Sequence, residues 1–290
     1  MKKPLVRRYS TLSALLVGTA IGSSMLAISA SAQSVQYTTG FEYTTGDYGN
    51  AEDTMILEVP LAFRYKRGNW SFRARTAFVS IDGPGGVIPG GEDDDNDSAC
   101  DNSGPGGGRC DDDDVVVPPP PSGTFTETGI GDTFVSAKYA WDFADDYYLD
   151  TTGTVTLPTG DETRDLGVGE TDYKLTTELG RFVNGRGAYV LAGYKFRGGE
   201  AREDGAQFGA GAFTRLSDRT SVGVDYFYSE SSSDFNEASS NISGYVGWRM
   251  NDNLRLSAYA LAGLSDNSPD YGVGLSLRWQ PNARRPDGKF

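Results

Sequence analysis

The stretch "DTMILEVPLAFRYKRGNWSFRARTAFVS", Asp53 to Ser80, alternates with a period of two. Met55, Leu57, Val59, Leu61, Phe63 and Tyr65 fill the odd positions, and Glu58, Arg64 and Lys66 sit among the even ones. After a break at Arg67-Gly68-Asn69 the pattern resumes, with Trp70, Phe72, Ala74, Thr76 and Phe78 on one face and Ser71, Arg73 and Arg75 on the other. A side-chain period of two means extended strands, each with one apolar and one charged face. Which face is the interior decides the fold.

The same alternation places strands near residues 35–45, 53–66, 70–81, 131–143, 147–157, 170–182, 187–197, 205–216, 220–229, 240–250, 254–264 and 270–279. That makes about twelve strands, the even number a closed antiparallel meander needs, with eleven or fourteen inside the boundary error of about two to four residues. Short connections ("RGN" 67–69, "ADD" 144–146, "NGR" 184–186, "SDR" 217–219, "NDN" 251–253) alternate with long ones, including 157–169, 229–239 and 82–129. Tight turns alternating with long loops separate the two ends of an up-and-down barrel, the tight turns facing the periplasm in outer-membrane barrels.

The first residues read as an address. Lys2, Lys3, Arg7 and Arg8 precede an apolar run, Leu12 to Ser29, and a small-x-small "ASA" at 30–32. Residues 1–32 therefore read as a secretory signal peptide cleaved near Ala32, against a retained anchor, and residues 33–290 as the barrel. Losing those four cations takes the formal net charge from −14 to −18, most of the excess lying in one segment. Such a chain has no basic stripe for nucleic acid. No apolar stretch of about 20 residues follows the signal, so a membrane crossing falls to strands.

Period two alone fits a soluble sandwich, with the apolar face inside, or a membrane barrel, with it outside. The charged face collects Arg64, Lys66, Arg73, Arg75, Lys138, Lys174, Lys195, Arg215, Arg249, Arg255 and Arg278, with Glu42, Glu58, Asp150, Asp172, Glu178 and Asp225. The apolar face carries Trp70, Trp141, Trp248 and Trp279 close to the tight turns, where an interfacial aromatic girdle sits. Signal, turn asymmetry and girdle agree on an all-β, closed transmembrane β-barrel whose charged set lines a wet lumen. Hydrocarbon offers no partner for an unpaired amide, so the first and last strands must pair.

"GIGDTFVSAKYAW" (129–141) and "TVTLPTGDETRDLGVGETDYKLTTEL" (154–179) add a resemblance. With their Gly-x-Gly-Asp strand opening and Leu-Pro-Thr-Gly-Asp loop followed by Gly-x-Gly, they resemble the Gram-negative outer-membrane barrels linked to the meta-pathway of phenol degradation. The motifs cover about 129–200 and the barrel pattern extends to 279. The resemblance implies an outer-membrane location and uptake of small, aromatic compounds. Two departures stand out: a polar tail, "QPNARRPDGKF" (280–290), behind the strand that Trp279 closes, and a long acidic insertion.

The insertion holds Asp93, Asp95 and Asp97 at the one-apart spacing of calcium loops, with Asp111 and Asp112 among four further donors, but without the glycine and glutamate that complete a calcium pattern. It reads as a solvated acidic loop or a weak divalent-cation site. Cys100 and Cys110 are the two cysteines; in an oxidising compartment they close a disulfide loop, and two thiols do not complete a tetrahedral metal shell. The chain has no histidine, which removes Ser-His triads and His-Asp water activation, so no enzyme and no cofactor are expected. The expected function is passive passage of small anionic or aromatic solutes, with outer-membrane lipid and lipopolysaccharide as neighbours. The rival reading is a barrel whose lumen is closed by ion pairs, serving as a structural or surface-recognition protein with a cation-binding acidic loop.

Overall fold

The computed structural model describes residues 33–48, 52–84, 87, 125–141, 144, 146–199, 202–231 and 238–281. Its strands are β1 (Gln33–Gly46), β2 (Thr54–Arg67), β3 (Trp70–Gly83), β4 (Phe125–Ile130), β5 (Thr133–Trp141), β6 (Tyr147–Leu157), β7 (Asp172–Val183), β8 (Arg186–Phe196), β9 (Gly205–Arg215), β10 (Thr220–Ser229), β11 (Ser239–Arg249), β12 (Leu254–Gly263) and β13 (Tyr271–Trp279). Each pairs antiparallel with its neighbour, and β1 pairs with both β2 and β13, so the sheet closes on itself. Apart from short β4, which pairs with β3 alone, the wall has no edge left to seek a partner.

β4 and β5 both pair with β3 and together form one interrupted wall position, which gives twelve positions around the barrel. Phe78 faces Ile130 and Arg75 faces Phe134, so Thr76 and Ala77 of β3 oppose three residues, 131–133. This is a β-bulge, bridged by the Gly131 N–H donating to the Ala77 carbonyl at 2.9 Å. The extra residue inverts the alternation. Glu127 and Gly129 turn inward on β4, whereas Phe134 and Ser136 do so on β5. The expected insertion boundary at 129 is thereby corrected: the wall resumes at Phe125, and the phase change at the bulge hides "FTETGI" from a pattern read in one phase.

The apolar set faces out. Leu57, Leu61, Phe63, Phe72, Val135 and Leu277 are exposed, while their even-numbered neighbours on β2, such as Ile56 and Glu58, are buried. Trp70, Trp141, Trp248 and Trp279 are 45–50% exposed and sit at or next to the tight-turn ends of their strands. They belong to an outward aromatic belt: Trp70 meets Tyr139 at 4.9 Å, Tyr139 meets Trp141 at 4.8 Å, and Trp279 stacks on Tyr37 at 5.6 Å. A soluble sandwich would bury these residues, so the inside-out membrane architecture holds.

The tight turns match their residues. Val183 pairs with Arg186 across Asn184-Gly185, whose φ values of 51° and 80° fit the type I′ geometry that favours Asn-Gly. The ladder between β1 and β2 skips Gly40 and Phe41 opposite Val59 and Pro60, where proline supplies no N–H.

Candidate functional site

All seventeen charged residues read from the sequence as lumenal fall on the inward side of their strands. Following directly opposed residues from strand to strand shows how they are grouped. One row runs Arg249, Arg255, Arg278, Thr38, Ala62, Arg75. The row beside it runs Gln36, Arg64, Arg73, Ser136, Thr154, Lys174, Lys195. A third contains Lys66, Ser71 and Lys138. Ten of the eleven cations thus lie in three adjacent rows that wind around the lumen. Arg215 stands apart at the tight-turn end, 5.3 Å over the Phe182 ring.

Like charges face each other within these rows. Arg64 opposes Arg73, Arg255 opposes both Arg249 and Arg278, Lys174 opposes Lys195, and among the acids Glu42 opposes Glu58 and Asp150 opposes Glu178. Directly opposed like charges destabilise a sheet, and unlike pairs would serve stability better. Partners on other rows offset part of the repulsion. Arg75 reaches Glu58 at 3.4 Å, Lys138 reaches Asp150 at 3.7 Å, and Tyr189 donates to Asp225 at 2.6 Å. At the long-loop end Arg202 donates twice to Asp172, at 3.0 and 2.6 Å, with Lys195 3.7 Å from the same carboxylate. The wall is cross-linked and its cations stay grouped, while the first row, continued from Arg75 through Phe134 and Thr156, ends on Asp172.

A second stripe has no counterpart in the sequence reading. Phe182, Gly187, Phe213, Gly223, Tyr245, Tyr259 and Gly274 form one inward row, and Tyr148, Gly180, Tyr189 and Gly211 another. Five of these six rings lie over a neighbouring glycine: a Cβ on Gly180, Gly187, Gly211, Gly223 or Gly274 would strike Tyr148, Phe213, Tyr189, Tyr245 or Tyr259 respectively. Aromatics in phase with the charged face, opposite in-phase glycines, were the available signal.

The third component is a loop inside the barrel. In the segment between β6 and β7, Asp161 caps the 3₁₀ turn Glu162–Arg164, accepting from the Thr163 N–H at 3.1 Å. The chain then turns inward, burying Leu166 and Val168, and Leu166 joins Tyr48, Ile56, Ala77, Val79, Ile81 and Val87 in an apolar cluster. The inward face is therefore not polar throughout, as expected from its charges; near the long loops β2 and β3 present apolar residues because a loop covers them.

Asp132 in the bulge holds this loop. Its Oδ1 accepts from the Gly160 N–H at 2.9 Å and its Oδ2 from the Val168 N–H at 2.8 Å. The Thr159 hydroxyl donates to the Gly131 carbonyl at 3.1 Å, and Arg164 ties the turn to Glu127 at 2.6 Å. A side chain on Gly160 or Gly167 would collide with the Leu166 carbonyl or the Asp132 carboxylate. The strand opening "GIGD" and the loop "LPTGDETRDLGVG", whose Asp132 and Gly160 are 28 residues apart, are two halves of one knot.

Asp93, Asp95, Asp97, Asp111 and Asp112, the cysteines Cys100 and Cys110, and residues 1–32 lie outside the described residues. Among the described residues no cluster of three metal-ligating side chains occurs.

No curated protein matches the chain significantly in sequence. Solved structures share its fold. An outer membrane channel from Pseudomonas putida F1 aligns with a TM-score of 0.59 at 10% identity, covering 90% of this chain and 100% of that one. The KdgM porin aligns with a TM-score of 0.50 at 6% identity over 83% of this chain and 98% of its own, and the NanC porin with 0.50 at 7% over 84% and 98%. The family described as "Putative MetA-pathway of phenol degradation" matches residues 83–280, the span from the end of β3 past the last strand that includes both halves of the knot, and the chain belongs to that family.

Proposed function

We propose that the protein is a passive outer-membrane pore for small solutes, with a preference for anions and aromatic compounds. The observation that carries this reading is the winding of ten cations in three adjacent lumenal rows through a closed barrel with an apolar outside. Grouped charge of mainly one sign focuses a field along a water-filled path and selects by electrostatics with no covalent step. The family's description and the channel and porins that share the fold support it. Export by residues 1–32, lipopolysaccharide at the acidic long-loop face, a disulfide between Cys100 and Cys110 and weak cation binding by the acidic insertion belong to the same proposal.

Purified barrel in a planar bilayer under a potassium chloride gradient tests it. The expected result is discrete conductance steps with a reversal potential displaced toward that of chloride, the displacement shrinking as salt screens the wall. A cation-displaced potential overturns the selectivity. Silence overturns the pore and favours a closed structural barrel, for which the Arg75–Glu58 and Lys138–Asp150 cross-links and the buried Leu166 speak.

A further inference from the structure

The cationic and aromatic stripes run side by side, and their spacing selects a chemical class. On β12, Arg255 and Tyr259 stand four residues apart with Ser257 between them; on β11, Arg249 and Tyr245 flank Gly247 in the same way. Four residues of extended strand span about 13 Å, a distance that one ring, its carboxylate and an extended guanidinium fill together. The row between the two stripes, Arg215, Ser221, Gly247, Ser257, Ser276, is floored by small residues. Ser221 is buried in that row, and its hydroxyl oxygen has no hydrogen-bond partner among the described residues. It is a donor set at the edge of the span.

Resting on the pore reading, we propose that the lumen binds and conducts aromatic monocarboxylates. The carboxylate sits on the Arg255–Arg278 pair, the ring against Tyr245 and Tyr259, and the Ser221 hydroxyl is a further donor at the end of the floor. Three arginines opposed in sequence across β11, β12 and β13 repel one another, and a carboxylate between two of them converts repulsion into two charge-assisted contacts. The adjacent tyrosine faces add ring contacts that an aliphatic acid cannot match. From this station the cationic row continues through Arg75, with Arg64 and Arg73 beside it, toward Lys174 and Lys195 at the long-loop end, so a bound anion has successive partners along the wall.

The test titrates detergent-purified, full-length barrel with benzoate, cyclohexanecarboxylate and benzamide by calorimetry, and adds each compound to single channels carrying potassium chloride current. Benzoate is expected to bind tightest and to interrupt the current, cyclohexanecarboxylate to bind more weakly, and benzamide weakest. Arg255→Gln with Arg278→Gln is expected to weaken benzoate about tenfold or more while sparing what little benzamide binding there is, because both charged partners of the carboxylate are lost. Tyr259→Leu is expected to erase the preference for benzoate over cyclohexanecarboxylate. Equal binding of benzoate and benzamide, equal binding of the two acids, or unchanged benzoate binding in the double variant each overturns the proposal. Chloride current without benzoate binding leaves the pore standing and this proposal refuted. Absence of current refutes the pore, and calorimetry still decides whether the station exists.

Discussion

Asp132→Ala is expected to release the inward loop and raise the single-channel current. The carboxylate holds two backbone N–H groups, the half-buried one of Gly160 and the buried one of Val168, and each hydrogen bond to a charged acceptor contributes about 1.5–3 kcal/mol. Losing both removes about 3–6 kcal/mol of anchoring and leaves two donors that only water can satisfy. Leu166 is then kept against Ile56, Val79 and Ile81 only by its apolar contacts, the Thr159–Gly131 hydrogen bond and the Arg164–Glu127 pair, so the segment between β6 and β7 leaves the lumen more often. Single channels of the variant should carry larger, noisier current. The barrel's unfolding in detergent should shift little, because the wall ladders do not involve Asp132. Asp132→Asn keeps one acceptor oxygen and loses the other, and an intermediate current is expected. Identical traces for all three proteins would show that the knot does not restrict the path.

Leu61→Lys is expected to block stable assembly, whereas Ala62→Lys, one residue further on, is expected to be tolerated. Leu61 is 57% exposed on the outward face, six residues above the tight-turn end of β2, which puts it near the middle of the apolar band. A lysine at the bilayer midplane of a barrel's lipid face costs about 2–4 kcal/mol. Ala62 points into the lumen in the row of Arg278 and Arg75, where water and counter-ions reach an added ammonium. Heat-modifiable mobility on gels and urea titrations in lipid vesicles measure both. Equal destabilisation by the two substitutions would mean that both faces of β2 meet the same medium.

The wall was legible because a period of two survives in strands that are wet on one side only. Closure followed from the same physics, since the remaining edges of β1 and β13 have no partner in hydrocarbon except each other. β4 was not legible, because the bulge at Gly131-Asp132 shifts the phase by one residue and no periodic reading crosses such a step. The lumenal charges could be listed from the sequence, but not grouped: that Arg255 stands between Arg249 and Arg278 is a property of register across three strands. In the sequence the knot is two separate motifs, since nothing in "LPTGD" says that its glycine N–H meets a carboxylate at the far side of β6.

Tryptophan quenching reports whether the outer wall meets lipid. Trp70, Trp141, Trp248 and Trp279 are the only tryptophans in the chain, and each is about half exposed on the outer wall. In vesicles of bromine-labelled phospholipid, tryptophan emission is expected to fall strongly, most for labels near the acyl-chain end closest to the headgroups. Full emission in brominated lipid, from a chain that stays monodisperse in plain buffer, would contradict it.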